Sequence, residues 1–377
     1  MNSLETNTRG SISNGVKCDI IIAVWNEPEA TRNCLERVIK YTDLPYRLII
    51  IDNGSGNETA QYLDSLKDRI KDLLLVRNKE NLGYVQAINQ GLKLSNADYV
   101  CLLNNDTLVT DGWLNEMIAI AEDNPSLGII NPSSNTLGQY TAKEKTLDEY
   151  AQSLQVYKGN WGELGQCIGF CMLIKREIID KIGLFDEIYE VGYFEETDYC
   201  LRAQKAGYRF ARAKAAYVYH KERLTFGKRL DKEELFEKNR KIFESRWGKS
   251  LRVLCVISSS PKDQIDKDET EQIVLSSAQD NHQVYIYIIK NLIAKFNFAE
   301  HSNIIIRPSR GIFFGFASLF KILTKKAKKK FDLILVDNLF FFSVLKFLSF
   351  LHKAKILFNP HLERAIELSK KQAFKDK

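Results

Sequence analysis

The sequence predicts an α/β protein, with a mostly parallel central sheet flanked by helices and a smaller α/β unit after it. Short apolar runs alternate with helical periodicity from Cys18 to Leu103, as they do in parallel sheets covered by helices. The same alternation starts again at Leu251. Because about 100–200 residues make a typical domain, we divide the 377 residues into a polar leader (1–17), a first domain (18–249) and a second domain (250–377).

Each predicted element of the first domain follows from its local pattern. Apolar runs predict strands at Cys18–Val24, Tyr46–Ile51, Leu73–Val76, Tyr99–Leu103, Gln166–Ile174 and Arg209–Val218. Helical spacing of apolar residues predicts helices at Pro28–Tyr41, Asn57–Lys67, Gly83–Leu94, Glu195–Ala206 and 232–247. Pro28 suits a first helical turn, where its missing N–H would have no partner. Residues 132–166, rich in Ser, Thr, Gly and Gln, are predicted loops near a site.

The second domain repeats the alternation in a shorter form. Strands are predicted at 251–258, 331–338 and 355–360, and helices at 285–296 and 339–351. This arrangement predicts a partial Rossmann-like unit.

Composition and charge narrow the class of protein. Hydrophobic residues make up 45% and charged residues 27% of the chain, which excludes wholesale disorder and a collagen-like fibre. The net charge of +6 is uneven, since residues 251–377 carry +9 and the rest −3. This asymmetry predicts an anionic partner for the basic tail, either a membrane surface or nucleic acid. No nucleic acid is expected, because no recognition motif for it is present.

The seven cysteines and the chain start indicate the compartment. The cysteines are scattered and no pair has zinc-binding spacing, so we interpret them as reduced thiols. Residues 1–17 lack the apolar core of a signal peptide. No run of about 18 apolar residues predicts a spanning helix. We therefore expect a cytoplasmic protein, either free or at the inner face of the membrane.

Polar residues follow three of the predicted strands, where the carboxyl ends of parallel strands form a ligand-binding crevice. Asp52 begins the run Asp-Asn-Gly-Ser, which suits either a nucleoside contact or an Asx turn. Asn104-Asn105-Asp106 suits either a divalent cation shared with phosphates or a strand-ending turn. His220 is either a metal ligand or a packed histidine.

Two more polar clusters stand at predicted helix starts. Glu195-Glu196-Thr197-Asp198 has three acids in four residues, which suits the positive end of a helix dipole. Crowded carboxylates also raise one another's pKa, as a general base requires. The segment 81–83 (Asn-Leu-Gly) offers free backbone amides for a diphosphate, or a simple helix cap. The absence of GxGxxG after the first strand, of GxxxxGK[ST] and of GxSxG argues against a dinucleotide oxidoreductase, a P-loop ATPase and an α/β-hydrolase.

The order of these clusters resembles that of the inverting family 2 glycosyltransferases, which have the GT-A fold. The matching segments are 24–27 (Val-Trp-Asn-Glu), 52–55 (Asp-Asn-Gly-Ser), 81–91 (from Asn-Leu-Gly to Asn-Gln-Gly) and 103–106 (Leu-Asn-Asn-Asp). A later block, 183–187 with 194–202 and 206–208, resembles the acceptor side of the rhamnosyltransferase and galactofuranosyltransferase branch. The resemblance covers about residues 18–246.

The resemblance implies a GT-A nucleotide-diphospho-sugar transferase fold and a role for each matching residue. Donor binding is implied for Val24, Asn26, Glu27, Asp52, Asn81, Gly83 and Asn105. Asp106 and His220 would hold Mg²⁺ or Mn²⁺, and Glu196 would be the catalytic base, with Glu195 as the alternative. Two departures stand out. Asn104 replaces a carboxylate of the family's DxD motif, which weakens the metal site, and Glu196 stands where Asp is commoner.

The implied activity is metal-dependent, inverting transfer of a sugar from a UDP- or dTDP-linked donor to a hydroxyl of a glycan or lipid-linked acceptor, in surface polysaccharide biosynthesis. One alternative is a catalytically silent sugar-nucleotide or glycan-binding module. Another alternative is a nucleotidyltransferase. Such an enzyme requires a glycine-rich, basic loop after the first strand, whereas this chain has Trp25–Pro28 there.

The basic tail has its own alternatives. In pattern alone it resembles the amino-terminal half of a GT-B glycosyltransferase domain. Residues 312–323 with Lys325–Lys330 either lie on an anionic membrane or form a core helix with a solvated basic end.

Overall fold

The computed structural model describes residues 17–141, 144–221, 232–311, 314–326 and 329–358. The polar leader predicted at 1–17 therefore lies outside the described residues, apart from Lys17. The chain forms two compact units, one of residues 1–162 and 166–242, the other of residues 163–165 and 243–377.

The first unit is built on a sheet of alternating strands and helices. Its strands are β1 (Cys18–Val24), β2 (Tyr46–Asp52), β3 (Leu73–Arg77), β4 (Tyr99–Leu103), β5 (Thr107–Val109), β6 (Leu127–Ser133), β7 (Trp161–Leu164), β8 (Cys171–Lys175) and β9 (Arg209–His220). Its helices are α1 (Pro28–Tyr41), α2 (Asn57–Ser65), α3 (Tyr84–Leu94), α4 (Trp113–Asp123), α5 (Leu147–Ser153), α6 (Arg176–Ile182), α7 (Glu195–Lys205) and α8 (Lys232–Trp247), the last of which continues into the second unit.

The sheet order explains the burial of the central strands. The path runs β3-β2-β1-β4-β8-β6-β9-β5, and β3, β2, β1 and β4 are parallel. β1 is buried almost throughout, as expected for a strand covered by helices on both faces. Helix α1 turns Cys34, Leu35 and Val38 into the core. The predicted mostly parallel α/β sheet is confirmed.

The second unit is a parallel sheet with helices on both faces. Its elements are β10 (Arg252–Ile257), α9 (Gln264–Gln279), β11 (Gln283–Ile289), β12 (Ile304–Ser309), α10 (Phe314–Leu323), β13 (Leu333–Val336), α11 (Leu339–Phe347), α12 (Ser349–His352) and β14 (Lys355–Phe358). The strand order β12-β11-β10-β13-β14 reverses direction at β10, as in Rossmann-like folds. Val274 of α9 lies in one core cluster, and Phe314 of α10 and Phe341 of α11 lie in another.

One predicted element is wrong. The helix expected at 285–296 is strand β11 followed by a short 3-10 helix at Lys290–Lys295. Val284, Ile286 and Ile288 face one core, while Tyr287 faces the other. A strand that is covered on both faces gives a continuous apolar run, which periodicity alone does not distinguish from a buried helix.

The helix expected at 339–351 is instead two helices, α11 and α12, separated at Leu348. Among the residues that the structure describes, no helix is both long and apolar enough to cross a bilayer. All seven cysteines are buried and none forms a disulfide.

Candidate active site

The candidate donor residues meet where β1 and β2 end. The two strands are in parallel register, so Val24 lies opposite Asp52. Val24 is fully buried, and its carbonyl accepts a hydrogen bond from the Asn53 amide at 2.7 Å. Val24 therefore shapes the crevice through its backbone. This edge of the sheet is where open α/β sheets bind ligands.

Asn26 and Glu27 form a tight connection between β1 and α1. Both have left-handed backbone conformations, with φ of 56° and 53°. The Asn26 side-chain oxygen accepts from the Gly56 amide at 2.9 Å, and the Asn26 amide donates to Ser55 Oγ at 3.0 Å. Asn26 thus fixes the loop after β1 against the loop after β2.

Asp52 is fully buried and already hydrogen-bonded through both oxygens. Oδ1 accepts from the Ser55 amide at 2.9 Å, and Oδ2 accepts from Arg77 Nε at 2.6 Å. Arg77 also contacts Asp64 and the Ala60 carbonyl. The geometry shows the expected turn, and a nucleoside contact by Asp52 stays a prediction. The ion pair with Arg77 was not foreseen from the sequence.

A network of side-chain amides orders the loop before α3. Asn53 Nδ2 donates to Asn81 Oδ1 at 2.9 Å, and Asn53 Oδ1 accepts from Asn78 Nδ2 at 3.0 Å and from the Leu82 amide at 3.1 Å. Asn81 Oδ1 also accepts from the Gly83 amide at 2.9 Å. Asn81 and Gly83 are therefore held close to Asn53, a residue that sequence analysis did not select.

Gly54 and Gly83 allow this close packing. Gly54 has φ of 77°, and a Cβ there would lie 2.6 Å from the Glu80 carbonyl carbon. Gly83 has φ of 87° and immediately precedes α3. Since side chains disfavour this backbone region, both positions require glycine.

The candidate metal ligands lie together on β9 and just after β4. Thr107 of β5 pairs with His220 of β9, which places Asp106 beside the histidine. Asp106 Oδ1 and His220 Nε2 are 3.1 Å apart, and each side chain is 14% exposed. Thr136 Oγ1 is hydrogen-bonded to His220 Nδ1 at 3.0 Å, and Phe170 stacks on the ring. The imidazole is therefore fixed in orientation.

Asn105 contributes less directly to this group of residues. Its side-chain nitrogen donates to Thr31 Oγ1 of α1 at 2.9 Å. Asn105 therefore anchors the β4 loop to α1, and its predicted contact with the donor stays a prediction.

The Asp106–His220 pair suits a metal ion that the protein shares with a bound phosphate group, rather than a metal held by protein ligands alone. In the part of the chain that is described, no group of three His, Cys, Asp or Glu side chains is arranged to hold a metal. One carboxylate and one imidazole suit an ion that completes its shell with phosphate oxygens and water. The hydroxyl on Nδ1 is the kind of outer partner that orients a ligating histidine.

The two candidate bases differ in environment. Glu196 is partly exposed, and its Oε1 accepts from the Gly169 amide at 2.9 Å. Burial raises the pKa of Glu196 to about 6, against opposing effects of the Gly169 amide and His220. Glu195 is 4% exposed, its Oε2 has no hydrogen-bond partner among the described residues, and burial raises its pKa further. The geometry therefore favours Glu196 as the base.

Gly169 fits the Glu196 carboxylate closely. A Cβ at residue 169 would lie 2.2 Å from Glu196 Oε1. The Gly169 carbonyl accepts a hydrogen bond from the Tyr84 hydroxyl at 3.4 Å. Gly169 lay inside a strand predicted at Gln166–Ile174, but β8 begins only at Cys171. A glycine within an apolar run indicates a close approach, and that pattern marks this position in the sequence.

Tyr84 shows that the catalytic candidates share one site. Burial is the main cause that raises the pKa of Tyr84, followed by the negative charges of Glu196, Glu195 and Asp106. Contacts link the same groups: the Tyr84 hydroxyl donates to the Gly169 carbonyl and the Gly169 amide donates to Glu196. The adjacent Phe170 stacks on His220, which lies 3.1 Å from Asp106. Tyr84 follows Gly83 directly, so the amide network at Gly83 adjoins Tyr84 at the start of α3.

A strained loop leads into the two candidate bases. Glu190, Tyr193 and Phe194 all have positive φ, at 53°, 70° and 73°, a conformation that costs about 1–3 kcal/mol per residue. Asn239 of α8 is fully buried, and its amide donates to the carbonyls of Tyr189 and Gly192 at 2.9 and 2.7 Å. Asn239 compensates for this strain through hydrogen bonds, a role without any sequence pattern.

Part of the chain is similar to known proteins. Residues 19–183 match the model of glycosyl transferase family 2. A poly-β-1,6-N-acetyl-D-glucosamine synthase of Staphylococcus aureus is 29% identical over 171 residues, which are 44% of this chain and 41% of that protein. The corresponding synthase of Staphylococcus epidermidis is 28% identical over the same length.

The chain is also similar, at low identity, to two solved structures. A mannosyltransferase from Pyrobaculum calidifontis, in complex with GDP-Man and Mn²⁺, has a TM-score of 0.46 and 16% identity, covering 60% of this chain and 64% of that one. S. aureus TarS residues 1–349, in complex with UDP-GlcNAc, has a TM-score of 0.42 and 14% identity, covering 58% of this chain and 64% of that one.

Over residues 19–183 the chain is therefore similar to family 2 glycosyltransferases, and the activity of the whole chain is a matter for proposal. The chain spans less than half the length of the curated relatives that it matches. The family match ends at residue 183, before Glu196 and His220, so the predicted roles of these two residues have only their geometry behind them.

Proposed function

We propose that this chain is a glycosyltransferase that moves a sugar from a UDP- or dTDP-linked donor to a hydroxyl of a glycan or lipid-linked acceptor, with inversion at the anomeric carbon. The observation that supports this most is the series of contacts that joins a partly exposed Glu196 through Gly169 and Phe170 to the Asp106–His220 pair. A carboxylate whose pKa is raised to about 6 suits proton abstraction near neutral pH.

The donor side follows from the two ordered loops. The crevice at the ends of β1 and β2 takes the nucleoside, with Asn26 and Asp52 setting the positions of the surrounding backbone. The amides at the start of α3, near Gly83, face the diphosphate, since a helix start favours anions. Asn81, Glu27 and Asn105 complete this side.

The reaction needs a charge-neutralised leaving group and a base on the opposite side. Mg²⁺ or Mn²⁺ held by Asp106 and His220 would offset the charge of the departing nucleoside diphosphate. Glu196 removes the proton from the acceptor hydroxyl, while Gly169 holds the carboxylate in place. Such general-base assistance contributes about 10²–10⁴-fold.

The biological setting is proposed from the relatives. The curated relatives are named as polysaccharide synthases, which supports surface polysaccharide biosynthesis for this chain. A polysaccharide or lipid-linked acceptor places the protein in the cytoplasm, at the inner face of the membrane. The rhamnosyltransferase and galactofuranosyltransferase branch is proposed on the motifs of residues 183–208 alone.

The first experiment is a thermal-shift screen of UDP, dTDP and their sugars, with and without Mn²⁺. A ligand that binds the folded state raises its melting temperature. We expect a Mn²⁺-dependent shift with one nucleotide, which Asp106→Asn removes and the exposed control Asp111→Asn keeps. No shift with any nucleotide would contradict the transferase assignment. A shift without donor turnover would favour the silent binding module.

A further inference from the structure

The outer surface of α10, α11 and α12 is unusually apolar. Five phenylalanines of this helical layer are at least two-thirds exposed: Phe316, Phe320, Phe340, Phe347 and Phe350. We call this surface the phenylalanine face. The three helices adjoin one another, since α12 contacts both α10 and α11. A phenylalanine offers about 150–250 Å², so the five together expose roughly 700 Å². The largest apolar patch of a typical monomer is about 300–600 Å² and is often functional.

The same helices are also apolar on their inner side. Phe314 and Ile322 of α10 and Phe341 and Leu345 of α11 are buried against the sheet. The core therefore has its own side chains, and the exposed phenylalanines are not needed to fill it. Helices that are apolar on their outer side as well as their inner side typically pack against a further apolar surface.

The segment that bears this face is strongly basic. Residues 314–358 contain nine lysines and two aspartates. Lys321, Lys326, Lys329, Lys346 and Lys353 are exposed. Burial, followed by the neighbouring cations Arg252, Lys329 and Arg307, lowers the pKa of Lys325. The positive charges are thus close enough to repel one another.

The two aspartates do not neutralise these lysines. Asp332 accepts from the Arg252 amide at 2.8 Å and lies 3.3 Å from Lys249. Asp337 accepts from the amides and hydroxyls of Ser258 and Ser259. Both carboxylates are therefore engaged with residues 249–259, and the basic charge of the helical layer is left for an external anion.

We propose that the phenylalanine face docks on an anionic phospholipid bilayer, with its aromatic rings at the boundary of headgroups and acyl chains and its lysines on the lipid phosphates. Exposed phenylalanines beside lysines are the composition of interfacial helices, and lysine stems reach the headgroups while the rings insert. This inference does not depend on the transfer reaction.

Charge favours an anionic bilayer over two other occupants of the phenylalanine face, a second copy of the chain and the chain's own residues 359–377. In a symmetric dimer the same surface faces itself, so the lysines of one copy would meet those of the other, which is unfavourable. Residues 359–377 contain five basic and three acidic residues, so charge complementarity does not favour them either. An anionic membrane satisfies both the apolar and the basic character.

The test is sedimentation of the full chain with vesicles of phosphatidylcholine, with or without phosphatidylglycerol. We expect binding to the anionic vesicles and little to the neutral ones. Combined Phe316→Gln, Phe320→Gln, Phe340→Gln and Phe347→Gln should lower the partition coefficient at least about tenfold, since each buried ring contributes strongly. Ile265→Gln, an equally exposed apolar residue of α9 on the other face of the sheet, should not change it.

Two further variants separate charge from insertion. Neutralising Lys325, Lys326, Lys329 and Lys330 to Gln should lower binding roughly fivefold per lysine and weaken its dependence on salt. The chain has four native tryptophans, so Phe347→Trp is compared with the unaltered protein, and its additional emission should shift to the blue and be quenched by brominated lipid. Failure to bind anionic vesicles, or binding unaffected by the phenylalanine substitutions, overturns the proposal. If the protein forms a dimer without lipid and the same substitutions dissociate that dimer, the phenylalanine face serves self-association instead.

Discussion

Substitution of Gly169 by alanine tests whether the position of the Glu196 carboxylate controls the rate. The backbone at 169 has no positive φ, so alanine meets no conformational strain there. Its Cβ, however, would lie 2.2 Å from Oε1 and 3.0 Å from Cδ of Glu196. Ordinary contact begins near 3.4 Å, so the carboxylate must move by about 1 Å. A misplacement of that size costs roughly 10²-fold in rate.

The assay is steady-state transfer or donor hydrolysis, with melting temperature measured in parallel. We expect kcat of Gly169→Ala to fall about 10²-fold while the donor KM and the melting temperature change little. Gly311→Ala, where a Cβ meets only ordinary contact with Ile289, is the matched control. In the double variant with Glu196→Gln the two losses should not add, because both act on one group. A fully active Gly169→Ala, or additive losses, would show that the position of the Glu196 carboxylate does not control the rate.

Three further predictions follow from the same site. Burial raises the pKa of Glu196 to about 6, so kcat/KM should fall about tenfold per unit as pH drops below that value; a flat profile from pH 5 to 8 would exclude this base. Asp52→Asn should lower the free energy of unfolding by about 1–2 kcal/mol in urea titrations, since it breaks a buried pair whose partner Arg77 is 41% exposed; an unchanged midpoint would contradict this. Asn239→Leu should lower kcat about tenfold with the donor KM kept, because the strained loop loses its hydrogen bonds; a change in donor KM alone would place its effect elsewhere.

Much of the fold could be predicted because the strands of the first unit have strong local patterns. β1, β4 and α1 have the predicted bounds, and β2 differs by one residue. In the first unit the sequence pattern does not predict α4, α6, β5 or β6, since the stretch after Leu103 mixes short elements with polar turns. The prediction of loops at 132–166 is wrong for α5 and β7, which lie within that stretch. The apolar run at 285–296 predicts a helix where β11 lies, because apolar side chains cover both faces of that strand.

The site was predictable where a side chain stands at a strand end, and less so where it acts through the tertiary structure. Asp106 and His220 were selected separately, and the pairing of β5 with β9 brings them together. The partners of Glu196 and of the loop before it, Gly169 and Asn239, come from distant parts of the chain. Their roles depend on packing, which no local spacing encodes.

If Glu196 removes the acceptor proton in an inverting transfer, the product has the opposite anomeric configuration to the donor. NMR of the first-formed product, using the donor selected by the thermal-shift screen, measures that configuration directly. We expect inverted configuration, and for Glu196→Gln a loss of about 10²–10⁴-fold in kcat with nucleotide binding kept. Retained configuration, or a Glu196→Gln variant that turns over at the original rate, would contradict this expectation.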